Sequence, residues 1–477
     1  MSVAAHSERP RLLDVRPRRL APALAGALAL VLVAGVAEIV LDGAAGRSPL
    51  IPLSPDISSW LSGVGERLGY RVFLVALLAC SGAYAGLLAL LAARRARGPA
   101  ADSRGRDPSA AAGRELAAPG VLGAALSPRG AIVLVAALQL IVFAGPILLS
   151  TDVFSYIAYA RMGVEHGLNP YQNGPLAIAG DPVFQYVGSD WIHVATAYGP
   201  LYTLLSYPLA PLGVAGALWG MKLEALLASA GTLALTWRCA RARGFDPAFA
   251  LVAVGANPLY VIYGLGGAHN DLIMMLAMMA AVSLTLESRA RTPSGRREAA
   301  AAAWVVAGAL IKATVAVLLP FMILSRRRLA PILGALAAIA LGAVIGYAVF
   351  GIHGIDLVAA LNRDAAFVST DSFATEIAHL FGKPGVFPVD HDLLKAALVL
   401  ILVQLLWRTW RGYDWVAASG WALLAISVTS TWLLAWYILW PLPLALVTRD
   451  RRLLAATLAV QGLFVVHQIS PLLAPVK

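Results

Sequence analysis

The sequence predicts an all-α integral membrane protein with many spans, and three features carry this prediction: composition, apolar runs and arginine clusters. Of its 477 residues, 59% are hydrophobic and only 13% are charged, and the mean hydropathy is +0.75. Soluble domains contain about 45–50% apolar and about 25% charged residues. Apolar runs of about 17–25 residues, long enough to cross a bilayer as a helix, recur along the whole chain. These features exclude a soluble globular fold.

The basic residues indicate the topology. The net charge is +11, but the arginines concentrate in the N-terminal tail, in one loop and in short connectors between apolar runs. Arginine and lysine mark the cytoplasmic ends of membrane spans. The pattern therefore favours membrane topology over nucleic-acid binding, and no nucleic-acid partner is expected. The partner that composition requires is the lipid bilayer.

The spans are predicted by following these basic clusters along the chain. A cytoplasmic basic tail (1–19) precedes a single transmembrane domain (20–470), which a flexible cytoplasmic loop of Arg, Gly, Ala and Ser interrupts at 94–128. The run 299–323 has arginines on both sides, so it is expected to form two short helices that meet near Lys312. The remaining spans are predicted at 20–41, 71–93, 131–149, 201–237 (with one short or re-entrant segment), 247–265, 272–286, 329–350, 393–407, 415–447 (a short hairpin) and 453–466. The total is about 12–14 transmembrane helices.

Two long extracytoplasmic loops are predicted, at 151–198 and 351–392. The first begins with an aromatic-rich helix at 153–162. Because aromatic rings with polar tips favour the membrane–water interface, this helix is expected to lie flat on the outer surface.

Asp152 is the first candidate for chemistry, because it follows a span directly and precedes a run of polar side chains. A carboxylate in this position could act as a general base on a hydroxyl group. The alternative is a plain marker of the end of a span. The polar residues that follow within the same loop include Tyr156, Arg161, His166, Asn169 and Tyr171.

Two further polar sites interrupt apolar runs. The segment 266–271, Gly-Gly-Ala-His-Asn-Asp, combines close backbone approach with three polar side chains, His269, Asn270 and Asp271. Its alternative is an ordinary polar turn with a helix N-cap. Lys312 lies in the middle of an apolar run, where an ionisable side chain is a functional candidate by default. Its alternative is a lysine that extends to the interface.

The remaining candidates have weaker signals. Tyr198 precedes a Gly-Pro pair where the chain re-enters the membrane. Arg363 belongs to the second loop, and the alternative to a functional role is that this loop is simply solvated. Trp436 and Tyr437 lie in an aromatic run. This run indicates a platform that binds sugar rings or a polyprenyl chain, and its alternative is an interfacial aromatic belt. Only two cysteines are present, and no compact ligand set is evident. No metal or cofactor is therefore expected, although a divalent cation stays open as an alternative.

These motifs, in their order along the chain, resemble the GT-C class of membrane glycosyltransferases. More narrowly, the chain resembles the actinobacterial polyprenol-phosphomannose-dependent alpha-1,6-mannosyltransferases. The matching pieces are Thr-Asp-Val-Phe-Ser-Tyr at 151–156, His-Gly-Leu-Asn-Pro-Tyr at 166–171, Tyr-Gly-Pro-Leu at 198–201, Asn-Pro-Leu at 257–259, Gly-Ala-His-Asn-Asp at 267–271, Lys-Ala-Thr at 312–314 and Trp-Tyr-Ile-Leu-Trp-Pro-Leu-Pro at 436–443. The resemblance implies a polytopic GT-C-type helical bundle.

The resemblance also implies a reaction and roles for the residues. The donor would be a polyprenyl-phosphate-linked sugar, transferred with inversion to a hydroxyl of an extracytoplasmic glycan or glycolipid of the cell envelope. Asp152 matches the family's catalytic base. Many members of the wider class have a second acidic residue beside it. Here that residue is either supplied from elsewhere, by Asp181, Asp190 or Asp271, or is unnecessary.

The other roles follow from the charge of the leaving group. Its phosphate needs a cation, for which Lys312 is the first choice, followed by Arg161 and Arg363. Trp436 and Tyr437 would line the lipid or sugar groove. The substrate-binding candidates are Tyr156, His166, Asn169, Tyr171, Tyr198, His269, Asn270 and Asp271. A transporter or lipid-carrier flippase is the alternative function; it predicts inverted repeats, which the sequence does not display.

Overall fold

The computed structural model describes residues 20–44, 69–96, 127–286, 294–364 and 366–472. The predicted basic tail (1–19) and most of the predicted cytoplasmic loop (94–128) lie outside the described residues. Within the described ranges the secondary structure is helical throughout, which confirms the predicted fold class. The α-helices are α1 (Leu20–Ala44), α2 (Tyr70–Ala96), α3 (Pro128–Ala144), α4 (Asp152–Val164), α5 (Pro200–Ser206), α6 (Gly213–Ala242), α7 (Pro247–Gly255), α8 (Asp271–Leu286), α9 (Gly295–Ala309), α10 (Leu318–Arg326), α11 (Leu329–Phe350), α12 (Leu357–Asp364), α13 (Phe373–Leu380), α14 (Pro388–Trp410), α15 (Trp415–Thr429), α16 (Pro441–Leu446) and α17 (Arg451–Ile469).

Short helices of other types connect them. A π-helix, Leu259–Leu265, follows α7. The 3₁₀-helices are Pro175–Ile178, Phe184–Tyr186, Ser189–Trp191, Tyr207–Leu212, Ala313–Val317, Gly351–Asp356, Tyr437–Leu439 and Ser470–Leu472.

Five helical segments in the described part of the chain are long and apolar enough to cross a membrane. They are Pro22–Ala44, Tyr70–Ala93, Pro200–Ala242, Leu329–Gly354 and Arg451–Ile469, and a sixth forms if α7 and the π-helix count as one bent span. Five shorter apolar helices, of 10–17 residues, accompany them. The protein is therefore a polytopic helical membrane protein, and the number of 12–14 spans stays a prediction.

Polar side chains and prolines set where several helices begin. The side chain of Ser127 accepts a hydrogen bond from the backbone of Gly130 at the start of α3. The carboxylate of Asp246 accepts from two backbone amides at the start of α7. Proline follows each of these caps, where its missing N–H costs nothing. Asp450 caps α17 in the same way.

The core forms where the apolar helices pack side by side. α1 packs against α2 and α3, α6 against α8, and α9 against both α8 and α11. Large side chains such as Phe154, Tyr260, Phe321 and Trp440 are fully buried between them. α11 differs, because only 11% of its most apolar window is buried in the protein. Its remaining apolar surface is suited to contact with lipid.

The predicted helix breaks are present. α9 ends at Ala309 and a 3₁₀-helix begins at Ala313, so residues 310–312 interrupt the helix where two short helices were predicted to meet. A second break separates α15 from the 3₁₀-helix at Tyr437, within the predicted hairpin.

One prediction about local structure is wrong. The aromatic helix α4 is not exposed at a surface: nine of its 13 residues are buried, and the hydroxyl groups of Tyr156 and Tyr159 face partners inside the protein. The predicted span at 247–265 consists of two helices, α7 and the π-helix, with a bend of 51° between them. Pro258 cannot donate a backbone hydrogen bond there, and the side chain of Asn257 accepts from Leu259 and Tyr260 instead.

Candidate functional site

Asp152 is held at the start of α4 by the segment that precedes it. After α3 the chain runs without regular structure from Gly145 to Thr151, and the amide of Leu148 donates to the carbonyl oxygen of Gly266 (2.8 Å). Ser150 then accepts from the backbone amide of Asp152 (3.2 Å). These two hydrogen bonds place the carboxylate beside the glycine-containing segment 266–271.

The segment 266–271 needs glycine at the position beneath the histidine ring. A Cβ atom on Gly267 would lie 2.3 Å from Nε2 of His269, which is far closer than atoms can approach. The bare backbone therefore lets the imidazole fold back over its own turn. His269 is completely buried as a result.

His269 joins Asp152 to the aromatic side chains. Its Nδ1 lies 3.7 Å from Oδ2 of Asp152 and 3.4 Å from the hydroxyl of Tyr156. Its ring stacks on Trp436, with centroids 3.5 Å apart and planes at 22°. Burial, and then the charge of Lys312, lower the pKa of His269 well below its usual value. The imidazole is therefore neutral at physiological pH and accepts or donates one hydrogen bond at Nδ1.

Lys312 and Asp271 form the charged pair of the site. The ammonium nitrogen lies 2.9 Å from each carboxylate oxygen, and the indole Nε1 of Trp440 donates to Oδ1 of Asp271 at 2.7 Å. Lys312 also lies over the ring of Tyr437, 4.3 Å from its centroid. The predicted lysine is thus held by a carboxylate and by two aromatic rings, since the centroid of Trp440 is 5.3 Å away.

The helix break that carries Lys312 is fixed by backbone contacts with the start of α5. The amide of Gly199 donates to the carbonyl of Ile311 (3.1 Å), and the amide of Leu201 donates to that of Leu310 (3.0 Å). A Cβ atom on Gly199 would lie 2.0 Å from the carbonyl oxygen of Leu310. Only glycine permits this approach, which explains the Gly-Pro pair that follows Tyr198.

These elements enclose one cavity of about 240 Å³. Among its lining residues, all in the described ranges, Asp152 and Lys312 are the charged ones. Aromatic rings form much of the remaining wall. They belong to Tyr159, Trp191, Tyr198, Trp432, Trp436, Tyr437 and Trp440.

The carboxyl group of Asp152 is poised between its charged and neutral forms. Burial raises its pKa to about 6. The charge of Lys312 acts to lower this pKa, and the charge of Asp271 acts to raise it. A carboxylate with a pKa near 6 is ionised at neutral pH and is a stronger base than an ordinary aspartate.

Of the three acidic candidates for the second carboxylate, Asp271 is the one whose charge raises the pKa of Asp152. It is also the one that contacts the cation of the site, Lys312. Asp190 is exposed. Asp181 is buried within the 151–198 segment, where Arg161 donates to it at 2.8 Å and His166 lies 2.8 Å from it. Although burial acts to raise it, these partners lower the pKa of Asp181 to about 2.

Several predicted site residues are engaged in building the fold near the cavity and do not line it. Arg161 and His166 hold Asp181. The amide of Asn169 donates to the carbonyl of Phe350 (2.8 Å), and Tyr171 donates to the carbonyl of Tyr198 (2.9 Å). The contacts of Asp181 and Tyr171 hold the 151–198 segment together, and that of Asn169 fixes it to the end of α11.

Three other predicted residues also stand apart from the cavity wall. Arg363 donates to the carbonyl of Ala195 (3.2 Å) and so ties α12 to the 151–198 segment. Tyr156 is buried behind Asp152 and packs edge-on against Tyr198. Asn270 is only 1% exposed, and its amide atoms meet no hydrogen-bond partner in the described ranges.

Sequence reasoning missed Trp191, and it placed Trp432 and Trp440 only in the aromatic run, with no role of their own. Trp440 holds Asp271, and the other two line the cavity with their rings 6.0 Å apart. The aromatic run at 432–440 carried the signal for two of them. Trp191 ends a 3₁₀-helix that begins at Ser189, and no sequence pattern connects it to the site. In the described part of the chain, no three His, Cys, Asp or Glu side chains cluster as a metal site would require.

Residues 24–328 match the family model described as "Alpha-(1->6)-mannopyranosyltransferase, N-terminal domain", and residues 391–471 match the "MptB C-terminal domain". The chain is 27% identical over 351 residues to alpha-(1->6)-mannopyranosyltransferase A of Mycobacterium tuberculosis, covering 66% of each chain. It is 30% identical over 186 residues to alpha-(1->6)-mannopyranosyltransferase A of Corynebacterium glutamicum, covering 38% of this chain and 36% of the relative.

A further relative is alpha-(1->6)-mannopyranosyltransferase B of Corynebacterium glutamicum. It is 25% identical to this chain over a stretch that covers 31% of this chain and 25% of the length of the relative. The chain thus spans just under two thirds of the length of the first of these relatives and about a third of the second. No solved structure matches. The first family model covers well over half of the sequence, in one continuous stretch that includes Asp152, His269, Asp271 and Lys312. The chain belongs to the alpha-(1->6)-mannopyranosyltransferase family.

Proposed function

We propose that this protein is an inverting mannosyltransferase of the cell membrane. It moves a mannosyl unit from a polyprenyl-phosphate-linked donor to a hydroxyl of a glycan or glycolipid of the cell envelope. The family and the names of the relatives support the sugar and the reaction class. The observation that carries the proposal is a single cavity lined by one poised carboxylate, Asp152, and one ammonium group, Lys312.

In the proposed reaction Asp152 is the general base. One carboxylate oxygen takes the proton of the acceptor hydroxyl as its oxygen attacks the anomeric carbon of the donor. The new bond joins that oxygen to the anomeric carbon, and the bond between this carbon and the phosphate oxygen breaks. The electron pair leaves with the polyprenyl phosphate. Attack from the face opposite the phosphate inverts the configuration, so a β-linked donor gives an α-linked product.

Lys312 supplies positive charge at the leaving phosphate. Its ammonium group has three N–H donors, and its nitrogen lies 2.9 Å from each oxygen of Asp271, so two donors serve that carboxylate. The third is available to a phosphate oxygen in the cavity. Asp271 and Trp440 fix the direction of this donor, so it need not reorganise as charge develops on the phosphate.

The aromatic wall provides surfaces for the sugar rings. Trp191 and Trp432 line the cavity together with Trp436, which His269 holds by stacking. Such rings present a large apolar face at little conformational cost. The arginine pattern along the chain supports a position of the cavity on the extracytoplasmic side.

The test is a transfer assay with the purified protein in nanodiscs, a radiolabelled polyprenyl phosphomannose and a mannoside acceptor. Asp152→Asn is expected to lower kcat by about 10²–10⁴-fold, the contribution typical of general base catalysis, with an α-linked product from wild type. The matched control is Asp190→Asn, an exposed aspartate in the same segment, which should retain wild-type kcat.

Two outcomes would contradict the proposal. Full activity of Asp152→Asn would remove the base from the mechanism. No transfer by the wild-type protein from any polyprenyl-phosphate-linked hexose would remove the function itself.

A further inference from the structure

Lys222 is a buried lysine that the proposed reaction does not use. It belongs to α6 and is only 3% exposed. Its side-chain nitrogen donates a hydrogen bond to the carbonyl oxygen of Gly145. The same nitrogen lies 4.5 Å from the ring centroid of Trp219 and 5.8 Å from that of Phe143. An ionisable side chain within an apolar span is costly and is a functional candidate by default, so the contact with Gly145 calls for a role.

The carbonyl of Gly145 begins the segment that leads to Asp152. Gly145 follows the last residue of α3, and the chain from there to Thr151 has no regular structure. An irregular segment lacks the hydrogen bonds of a helix, so its order depends on the contacts that it makes with other elements. Here Lys222 bonds the first residue, and the amide of Leu148 donates to Gly266 in the middle.

The same segment contains a strained residue. Leu149 has a φ of 61°, in the left-handed region that side chains with a Cβ disfavour. In the facing turn, Ala268 has a φ of 49° and directly precedes His269. Strain of this kind persists only where the surrounding contacts hold it. The two strained turns therefore depend on their anchors, and the bond between Leu148 and Gly266 joins one turn to the other.

We infer that Lys222 is a positioning residue for Asp152. Lys222 holds the start of the 145–151 segment, and the bond to Gly266 holds its middle. The carboxylate that follows is thereby kept 3.7 Å from Nδ1 of His269. The inference rests on the proposed function, because that function assigns the base. A displacement of about 1 Å can lower a rate about 100-fold, so loss of the anchor acts on the catalysed step and not on substrate binding.

The first experiment is a double-mutant cycle on kcat in the transfer assay. Lys222→Met removes the hydrogen-bond donor and keeps a long unbranched side chain. It is expected to lower kcat about 10–100-fold, with little change in the KM for donor or acceptor. In an Asp152→Asn background the same change should have almost no further effect, because residues that act as a unit are not additive. An equal loss of kcat in both backgrounds, or no loss in either, would overturn the inference.

Two further variants guard against indirect effects. Lys222→Arg keeps N–H donors on a side chain that also stacks on aromatic rings, and it should retain most of the wild-type kcat. The matched control is Ser229→Ala. Ser229 lies on the same helix and donates to Gln139 of α3 at 2.8 Å, so this change loosens the same pair of helices without touching residues 145–151. It should keep the wild-type kcat. A loss as large as that of Lys222→Met would make loosened packing the cause and overturn the inference.

The second experiment does not depend on transfer. Amide hydrogen exchange of the peptide that covers residues 145–152 is measured by mass spectrometry on wild type and variants in nanodiscs. Lys222→Met is expected to speed exchange in this peptide about tenfold by opening the segment locally, and Ser229→Ala should leave it unchanged. Exchange as slow as in wild type would overturn the inference. Faster exchange in a protein that transfers no sugar, or whose Asp152→Asn variant keeps full activity, would instead count against the proposed function alone.

Discussion

Removing the carboxylate of Asp271 should destabilise the protein strongly, because it leaves the Lys312 ammonium without its partner. The two side chains are 2% and 14% exposed, respectively, and the ammonium lies 2.9 Å from both oxygens. Hydrogen bonds that involve a charged group contribute about 1.5–3 kcal/mol, and breaking a buried ion pair from one side costs about 3–5 kcal/mol. An asparagine can still accept one hydrogen bond, so we expect Asp271→Asn to lower the free energy of unfolding by about 3 kcal/mol.

A double-mutant cycle separates this pairing from simple loss of packing. Lys312→Met removes the charge and keeps much of the side-chain volume, and Asp271→Asn with Lys312→Met removes both charges. The double variant should lose at least about 2 kcal/mol less than the sum of the two single losses, because residues in direct contact couple by about 0.5–3 kcal/mol. The free energy of unfolding is measured by titration of the purified protein from mild detergent into sodium dodecyl sulfate.

An exposed pair of the same type is the control for this cycle. Lys383 and Asp390 are also 2.8 Å apart, but their side chains are 41% and 21% exposed. Exposed ion pairs stabilise little, so Asp390→Asn should leave the unfolding curve close to that of wild type. Additive losses at Asp271 and Lys312, with no coupling, would refute the view that their pairing organises the site.

Three other substitutions test single features of the site. Because burial raises the pKa of Asp152 from 3.8 to about 6, the native carboxyl binds its proton more tightly than the unfolded one, and stability falls as pH rises through this window. Asp152→Asn should therefore unfold later than wild type above pH 6, by up to about 3 kcal/mol at about 1.4 kcal/mol per pKa unit, with no gain below pH 4. Gly199→Ala would place a Cβ 2.0 Å from a facing carbonyl oxygen and should abolish transfer, whereas Gly180→Ala, with open space around it, should not. Arg161→Ala leaves Asp181 without its guanidinium partner and should lower the free energy of unfolding by about 2–3 kcal/mol near neutral pH. The kcat measured below the unfolding temperature should stay near that of wild type. A large loss of kcat in a folded variant would give Arg161 a direct role with substrate. Since the pKa of Asp181 is lowered to about 2, this stabilisation is present above pH 4 and is lost as pH falls through 2.

The sequence predicted the features of the site that depend on local chemistry. An ionisable residue in an apolar run, as at Lys312, has few stable placements, and arginines on both sides of that run required a break in the helix. The glycine-containing segment before Asp271 indicated a close backbone approach, which the structure contains at Gly267.

Features that depend on contacts between distant segments could not be predicted in this way. Arg161 and Asn169 follow Asp152 closely in the chain, but sequence spacing does not say which face of a helix meets a partner 20 or 181 residues away. The aromatic helix α4 was predicted at the surface because tyrosine suits an interface. A tyrosine hydroxyl that finds a partner inside, as Tyr159 does at the carbonyl of Val194, removes that reason.

The burial of α4 bears on how tightly a substrate can be held. The segment 151–198 is tied down before any ligand arrives, by Arg161 on Asp181, by Asn169 on Phe350 and by Tyr159 on Val194. Fixing the backbone of one residue costs about 1–2 kcal/mol of conformational entropy, and a segment that ordered only on binding would subtract this from the affinity. Here the segment is already ordered in the folded protein, so the cavity wall that contains Asp152 and Trp191 can bind substrate without a further loss of backbone entropy.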